Sequence, residues 1–352
     1  MTDISWLKSP QALLACLVLV LGLTVGVAAS TSSASFGVYN PAWDGASGLQ
    51  DRANAVGADS QLILNVTAYT TVDPDETVAV VLTPDRPYTP EEAAQLRRFV
   101  EQGGTLVVAE DFGPHSNALL ADIGADTTVD GRLLRDERYY YQSPNITVAT
   151  NVTEHPFTED VGQLTLNHGT TLIVNRSQES ETEIIVNSSS LAYLDTNRNA
   201  QLDSDESLEQ RPVAVVEPVG EGEVVVISDP SLLINAMLER PGNQQFVDNL
   251  FGTHQQVLLD YSHAETLPPL SYAFVLVQNS RILQVVLGVS AFIITVIITR
   301  SRPLGSSRDI DEEGSPVATD RLVTGLRSKH PEWDEERIER VANAWKRSGG
   351  DR

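Results

Sequence analysis

The chain has 352 residues, with 24 Lys+Arg against 48 Asp+Glu and a formal net charge of −24. Such an acidic surface excludes nucleic acid as a partner, because its phosphates would meet repulsion. The one cysteine, Cys16, excludes a disulfide framework and leaves no thiol for chemistry elsewhere in the chain.

Residues 11–29 (QALLACLVLVLGLTVGVAA) are the first apolar run, preceded by Lys8 and followed by small polar residues. The run reads as a retained signal anchor, being longer than the usual apolar core of a signal peptide. The alternative is a secretory signal cut near residues 28–30. Either way the following chain is exported.

Residues 282–299 (ILQVVLGVSAFIITVIIT) are eighteen residues without a charge, with Arg281 before them and Arg300 and Arg302 after. A helix of that length covers roughly 27 Å, close to the hydrocarbon thickness of a bilayer. The two following arginines would hold its far end in the cytoplasm. The expected plan is a cytoplasmic N-terminus (1–10), two transmembrane helices, an exported domain at 35–265, a linker at 266–281 and a cytoplasmic tail at 300–352.

Charge follows the same division. The tail holds 11 basic and 11 acidic residues, whereas residues 30–280 hold 11 Arg, no Lys and 36 Asp+Glu. Short carboxylates without lysine keep a protein hydrated in multimolar salt, where a Debye length of about 3 Å or less screens self-repulsion. A halophilic archaeon is the expected source. Asn65, Asn145, Asn151, Asn175 and Asn187 each begin an N-x-Ser/Thr sequon, which predicts a glycoprotein.

Within the exported part, residues 35–40 read as a short strand, and 61–69 and 77–83 as strands of apolar, β-branched composition. Thr89-Pro90-Glu91-Glu92 starts a helix: Thr89 can cap, Pro90 fits the first helical position, and Glu92 can reach back to the cap amide. Ala93, Leu96, Phe99 and Val100 recur at helical spacing, and Gly103-Gly104 ends the helix. Strand 105–109 completes a βαβ unit, so the sheet is at least partly parallel. A short helix is expected at 119–123. From 125 to 195 the runs are short and β-like, at 146–150, 171–174 and 182–193. Buried strands return at 213–217 and 223–228. Asp229-Pro230-Ser231 then caps a helix at 232–238, and 243–252 makes another. The expectation is one α/β domain with a β-rich insertion, joined to the second span by the stiff Leu267-Pro268-Pro269-Leu270.

TPEEAAQLRRFVEQGGTLVVAEDFG (89–113), GEGEVVVISDPSLLINAML (220–238) and NQQFVDNLF (243–251) together resemble the domain of unknown function 4350 family of archaeal and bacterial membrane proteins. The resemblance implies a flavodoxin-like, class I glutamine amidotransferase-like fold, flanked by two transmembrane helices. It also implies an envelope complex with an AAA ATPase of the MoxR kind and von Willebrand A-like proteins. The catalytic equipment of an amidotransferase is missing: no Gly-x-Cys-x-Gly elbow occurs, and Glu110-Asp111-Phe112-Gly113 stands after strand 105–109.

The sharpest chemical signal is residues 195–206 (DTNRNAQLDSDE). Counting Asp195 as position one, Asn197, Asn199 and Asp203 put oxygen donors at three, five and nine, and Glu206 falls at twelve. Gln201 would add its backbone carbonyl. That spacing matches a calcium loop, which gathers six to eight oxygens round one point. Leu202 holds the apolar eighth place. Two departures stand out: Ala200 replaces the sixth-place glycine, and a strand precedes the loop in place of a helix. The competing reading is an acidic surface turn; crowded carboxylates without a cation would repel, which favours Ca2+ in a structural role.

Other chemistry is less marked. His115, His155, His168, His254 and His263 lack metal spacing, and no G-x-S-x-G occurs. Asp229, Ser231 and Asn235 follow a strand where open α/β sheets bind ligands, although helix capping explains the first two as well. Trp43 and Asp44 lie near the same edge. In the tail, residues 301–318 are expected to be disordered and 319–346 to form two short amphipathic helices around Pro331. The function expected is a non-catalytic scaffold or ligand-sensing domain. The alternative is a metal-dependent ectohydrolase acting on envelope glycans or peptides.

Overall fold

The computed structural model describes residues 34–175, 181–264, 282–286, 289–290 and 316–347. They fall into two units divided after Leu283. In the first, helix α1 (Gly48–Val56) leads into β1 (Asp59–Ile63) and β2 (Thr77–Leu82). Then come α2 (Pro90–Glu101), β3 (Thr105–Ala109) and α3 (Ser116–Ile123). The insertion holds β4 (Thr128–Val129), β5 (Leu133–Asp136), β6 (Val148–Ala149), β7 (Asn151–Val152), β8 (Leu164–Thr165), β9 (Leu172–Ile173), β10 (Glu183–Asn187) and β11 (Ala192–Asp195). The chain closes with β12 (Pro212–Val219), β13 (Gly222–Ile227), α4 (Asn235–Leu238), α5 (Pro241–Gly252) and β14 (Gln256–Asp260).

Eight strands form one mixed sheet in the order β1-β14-β2-β3-β13-β12-β10-β7. The first five run parallel, and β12, β10 and β7 continue the sheet antiparallel. Alternation along the central strands divides the core in two. Val78, Val80, Val107, Ala109, Val225 and Ile227 face α1 and α5, against Leu49, Phe246, Val247 and Leu250. Ala79, Val81, Leu106, Val108, Val224 and Val226 face α2 and α3, against Leu96, Phe99, Leu119 and Leu120. Strands apolar on both faces need helices on both, which is why these runs lack polar alternation.

Helix α2 begins as its sequence predicts. Thr89 Oγ1 accepts from the Glu92 amide at 3.3 Å and Glu92 returns the bond to the Thr89 amide at 2.9 Å. Gly103, at φ 104°, carries the chain out of it.

Two expectations fail locally. Residues 35–40 form turns in place of a strand, because Asn40 Oδ1 accepts from the Ala42 amide and its Nδ2 donates to Ala34 O and Asp44. The strand expected at 61–69 ends at Ile63, and Val66–Thr70 is a 3-10 helix capped by Asn65, which accepts from the Thr67 amide at 2.8 Å. Strand β14 has no counterpart in the sequence reading, yet it lies between β1 and β2, one strand in from the edge of the sheet.

The two apolar runs lie outside the described residues, except for 282–286 and 289–290, which are helical. Among the described residues no helix is long and apolar enough to cross a membrane. In the second unit, α6 (Pro316–Lys329) and α7 (Glu335–Arg347) are joined across Pro331. Helix α6 begins inside the stretch expected to be disordered, since Pro316 starts a helix readily. Ile338 and Ala342 on α7 are buried, and His330 stacks on Trp333 at 4.3 Å.

A candidate crevice at the carboxyl ends of β3 and β13, with an acidic loop beside it

The connection from β3 leaves through α3 on one face of the sheet, and that from β13 leaves through α4 and α5 on the other. Where neighbouring parallel strands diverge in this way, open α/β sheets hold their ligands at the carboxyl ends. Glu110 and Asp111 follow β3, and Ser228 and Asp229 follow β13; the Glu110 amide donates to Ile227 O at 3.0 Å.

Glu110 is fully buried, and both its oxygens are engaged. Oε1 accepts from the amides of Asp111 (2.8 Å) and Gly113 (2.7 Å) and from Thr83 Oγ1 (3.3 Å), while Oε2 accepts from Ser116 Oγ (2.9 Å). A Cβ on Gly113 would stand 2.3 Å from Glu110 Oε2, so only glycine lets the loop fold over this carboxylate. The carboxyl end of β3 is thus a closed knot around an acid.

Asp229 is equally buried. One oxygen accepts from the Ser231 amide at 2.8 Å, the cap expected from sequence; the other accepts from the Asn167 amide at 2.5 Å. Asn167 belongs to the insertion, which crosses the crevice here. Thr170 N bonds Ser228 O at 2.9 Å, and Gly169 fits so tightly that an added Cβ would lie 2.9 Å from that of Asp229. The insertion fills much of the space that a ligand would occupy in an open sheet.

Burial pushes the Asp111 carboxyl up to about 6; the Phe112 amide opposes this and the nearby Glu110 charge adds to it. Burial likewise pushes Asp229 up to about 7, against the Asn167 and Ser231 amides and with the Asp111 charge adding to the rise. Both values lie above the ordinary carboxylate range, so between about pH 4 and 7 the folded chain holds more protons than the unfolded one. The contribution of these two groups to stability is greatest at low pH and is lost as pH rises through 6 and 7. Asp111→Asn is expected to flatten the fall in melting temperature between pH 4 and 6; an unchanged slope would refute the assignment.

Of the other residues proposed from sequence for this edge, Asn235 and Asp44 are engaged in local hydrogen bonds. Asn235 Oδ1 accepts from the Gly48 amide at 2.8 Å, and its Nδ2 donates to Asn40 O and Ala42 O. Asp44 accepts from Ser35 and Asn40, and Trp43 is 68 % exposed.

The loop of residues 195–206 leaves β11 next to the crevice. Its Arg198 guanidinium lies over the Phe112 ring at 4.8 Å. Buried Asp195 accepts from the amides of Asn199 (3.0 Å) and Ala200 (2.9 Å), and Arg135 Nε lies 3.8 Å away. Asp203 Oδ2 accepts from Asn197 Nδ2 (2.7 Å) and Asn199 Nδ2 (2.8 Å). Glu206 reaches back to Thr196 N and Oγ1 at 2.8 and 2.9 Å and to the Asp203 amide at 3.2 Å. Desolvation raises the Glu206 carboxyl, but the Thr196 and Asp203 amides and the Thr196 hydroxyl together outweigh it and hold it below the ordinary value.

The side chains of Asp195, Asn197, Asn199, Asp203 and Glu206 are therefore drawn into one network. Gln201 contributes no side-chain bond to it; its amide donates to Asn199 Oδ1 at 2.8 Å. Ala200 adopts φ 61°, the left-handed geometry that a calcium loop requires at its sixth place. Leu202 is 45 % exposed, so the eighth position does not pack. Among the described residues no three His, Cys, Asp or Glu side chains are grouped so as to hold a metal; the network depends on asparagines.

Sequence reasoning placed Glu110 and Asp111 correctly after β3 but gave them no role. Asn167 and Arg135 left no signal at all, since their partners lie far along the chain.

No curated protein matches the chain. Among solved structures, the mmIFT52 N-terminal domain is 16 % identical with a TM-score of 0.42, covering 54 % of this chain and 81 % of its own. A cytoplasmic protein of Salmonella typhimurium LT2 is 12 % identical with a TM-score of 0.31, over 57 % of this chain and 79 % of its own. An exo-beta-1,4-mannosidase from an Opitutaceae bacterium is 14 % identical with a TM-score of 0.27, over 55 % of this chain and 26 % of its own. The sequence model of one family matches residues 38–251, from the loop before α1 into α5, and therefore most of the sheet and the whole crevice. The chain belongs to the family of the domain of unknown function DUF4350.

Proposed function

We propose that the chain is a membrane-anchored scaffold or ligand sensor of the cell envelope of a halophilic archaeon, with its α/β domain outside and its tail in the cytoplasm. The proposed fold is flavodoxin-like, of the class I glutamine amidotransferase-like kind. The observation that carries the non-catalytic reading is the crevice itself. Its nucleophile position is taken by Glu110 with both oxygens bonded, and the insertion lies against Asp229. The two apolar runs and the arginines after the second support the anchoring. A MoxR-type AAA ATPase and von Willebrand A-like proteins are the partners proposed.

Residues 195–206 are proposed to hold a structural calcium ion. Asp195, Asn197, Asn199, Asp203 and Glu206 already converge, and a half-turn of each amide would aim its oxygen where its nitrogen now meets Asp203. Linkage adds about 2.7 kcal/mol to the folded state at a hundredfold excess of ion over Kd. Chelation at constant high salt is expected to lower the melting temperature. Glu206→Gln should do the same, and Ser204→Ala, at an exposed non-ligand position, should not. If chelator and Glu206→Gln both leave the melt where it was, the loop is only an acidic turn.

One observation favours an ectohydrolase: Asp111 and Asp229, both raised and electrostatically coupled at one crevice, are the kind of pair that general acid–base chemistry uses. Turnover of an envelope glycan or peptide that Asp111→Asn abolishes would replace the first reading with this one.

A further inference from the structure

The two ends of the exported domain lie together at the carboxyl edge of the sheet. Tyr261, just after β14, donates its hydroxyl to Phe36 O. Beside it Asp85 N donates to His263 O at 3.1 Å, and Arg86 to Ser262 O at 2.9 Å. The first apolar run ends at residue 29, and Ala34 is the first residue placed in the domain. Five residue steps, fully extended, reach about 18 Å at most. If residues 11–29 are a retained span, the carboxyl edge cannot stand farther than that from the bilayer.

The exposed aromatic side chains of the domain gather on the same side. Its exposed large aromatics are Trp43 (68 %), Phe112, Tyr139, Tyr140 and Tyr141, and all belong to loops at the carboxyl edge. Trp43 lies beside the start of α4, where its carbonyl accepts from the Ala236 amide at 3.1 Å. Phe112 follows β3. Tyr141 packs under the Arg240 guanidinium at 4.3 Å, at the start of α5. The arginines of this edge include Arg86, Arg138 and Arg198, all exposed, with exposed acids Asp85, Glu137 and Asp205 among them. The opposite edge, at the strand amino ends, carries exposed Asp59, Asp73, Asp75, Glu76 and Glu221.

We propose that the carboxyl edge of the domain, with Trp43, Phe112, Tyr139–Tyr141 and their arginines, rests on the lipid headgroup surface, so that the crevice opens toward the membrane. Tyr and Trp rings are amphipathic and settle at the headgroup level, and arginine pairs with lipid phosphate at contact distance, where multimolar salt screens least. The proposal rests on the anchoring reading above and adds an orientation to it.

The test uses the full chain with Cys16→Ser, reconstituted at high salt in phosphatidylglycerol vesicles bearing a nitroxide on part of the headgroups. A fluorophore is attached to a single cysteine in place of Trp43, Tyr140 or Glu221. Loss of fluorescence at 43 and 140, with none at 221, is the expected result. Equal quenching at all three sites, or none at any in chain that floats with the vesicles, overturns the orientation. Shielding of site 140 from aqueous iodide without lipid quenching would also overturn it, by showing that protein covers the face. Chain that fails to float with the vesicles removes the anchoring, and the orientation with it.

Discussion

Below about 1 M salt the α/β domain is expected to lose its fold in one cooperative step. Residues 30–280 carry 36 carboxylates against 11 arginines. Few of those carboxylates are neutralised locally. Arg52–Asp248 at 2.5 Å, Arg132–Asp130 at 2.5 Å and Arg211–Glu209 at 2.8 Å are pairs at or near the surface, and such pairs contribute about 0–1 kcal/mol each. The remaining repulsion is held in check by screening. The Debye length grows from about 3 Å at 1 M to about 10 Å at 0.1 M, so many more charge pairs then act on one another. Circular dichroism of the full chain in detergent, stepped down in KCl, should show the loss. A melt independent of salt would remove the halophile reading.

Glu110→Ala is expected to be the most damaging single change in the crevice. It would leave the amides of Asp111 and Gly113 and the hydroxyls of Thr83 and Ser116 without their acceptor in a buried place. Each unsatisfied buried donor costs about 1–3 kcal/mol, though the hydroxyls can turn to other partners, so a loss of roughly 3–5 kcal/mol follows. That is a large share of the 5–15 kcal/mol typical of a domain. Glu110→Gln keeps the shape and Oε1; its amide can donate to Ser116 Oγ once that hydroxyl turns. It should therefore cost far less, about 1 kcal/mol. Denaturant melts of the two variants at one salt concentration decide the matter. Equal losses would mean that the charge, and not the accepting geometry, closes the loop.

What could be read from sequence was what local chemistry decides. Thr89-Pro90-Glu91-Glu92 announces α2 because every partner of the capping box lies within four residues. The continuous apolar runs of β2, β3 and β13 announce strands covered on both faces. Residues 66–70 misled because β-branched side chains favour strands, whereas the Asn65 cap decides for a 3-10 helix. Strand β14 was missed because QVLLD is only five residues long and follows α5 closely, and its partners Asp59–Ile63 and Thr77–Leu82 lie about 200 and about 180 residues earlier. The crevice was half legible for the same reason. The bond of Asp229 to Ser231 is local, but its bond to Asn167 depends on how the insertion folds back. The convergence in the 195–206 loop was visible because alternate donors in a tight loop must face one point. That Asp203 would be the shared acceptor was not.

The claim on which the proposed function rests is topology: the α/β domain outside, the tail inside. It is tested by single cysteines at two exposed positions in the Cys16→Ser background. One replaces Glu221, in the turn between β12 and β13; the other replaces Ser328, on α6. An impermeant maleimide added to intact cells should label the cysteine at 221 at once and the one at 328 only after lysis. Labelling of position 328 on intact cells, with 221 protected until lysis, would contradict the account.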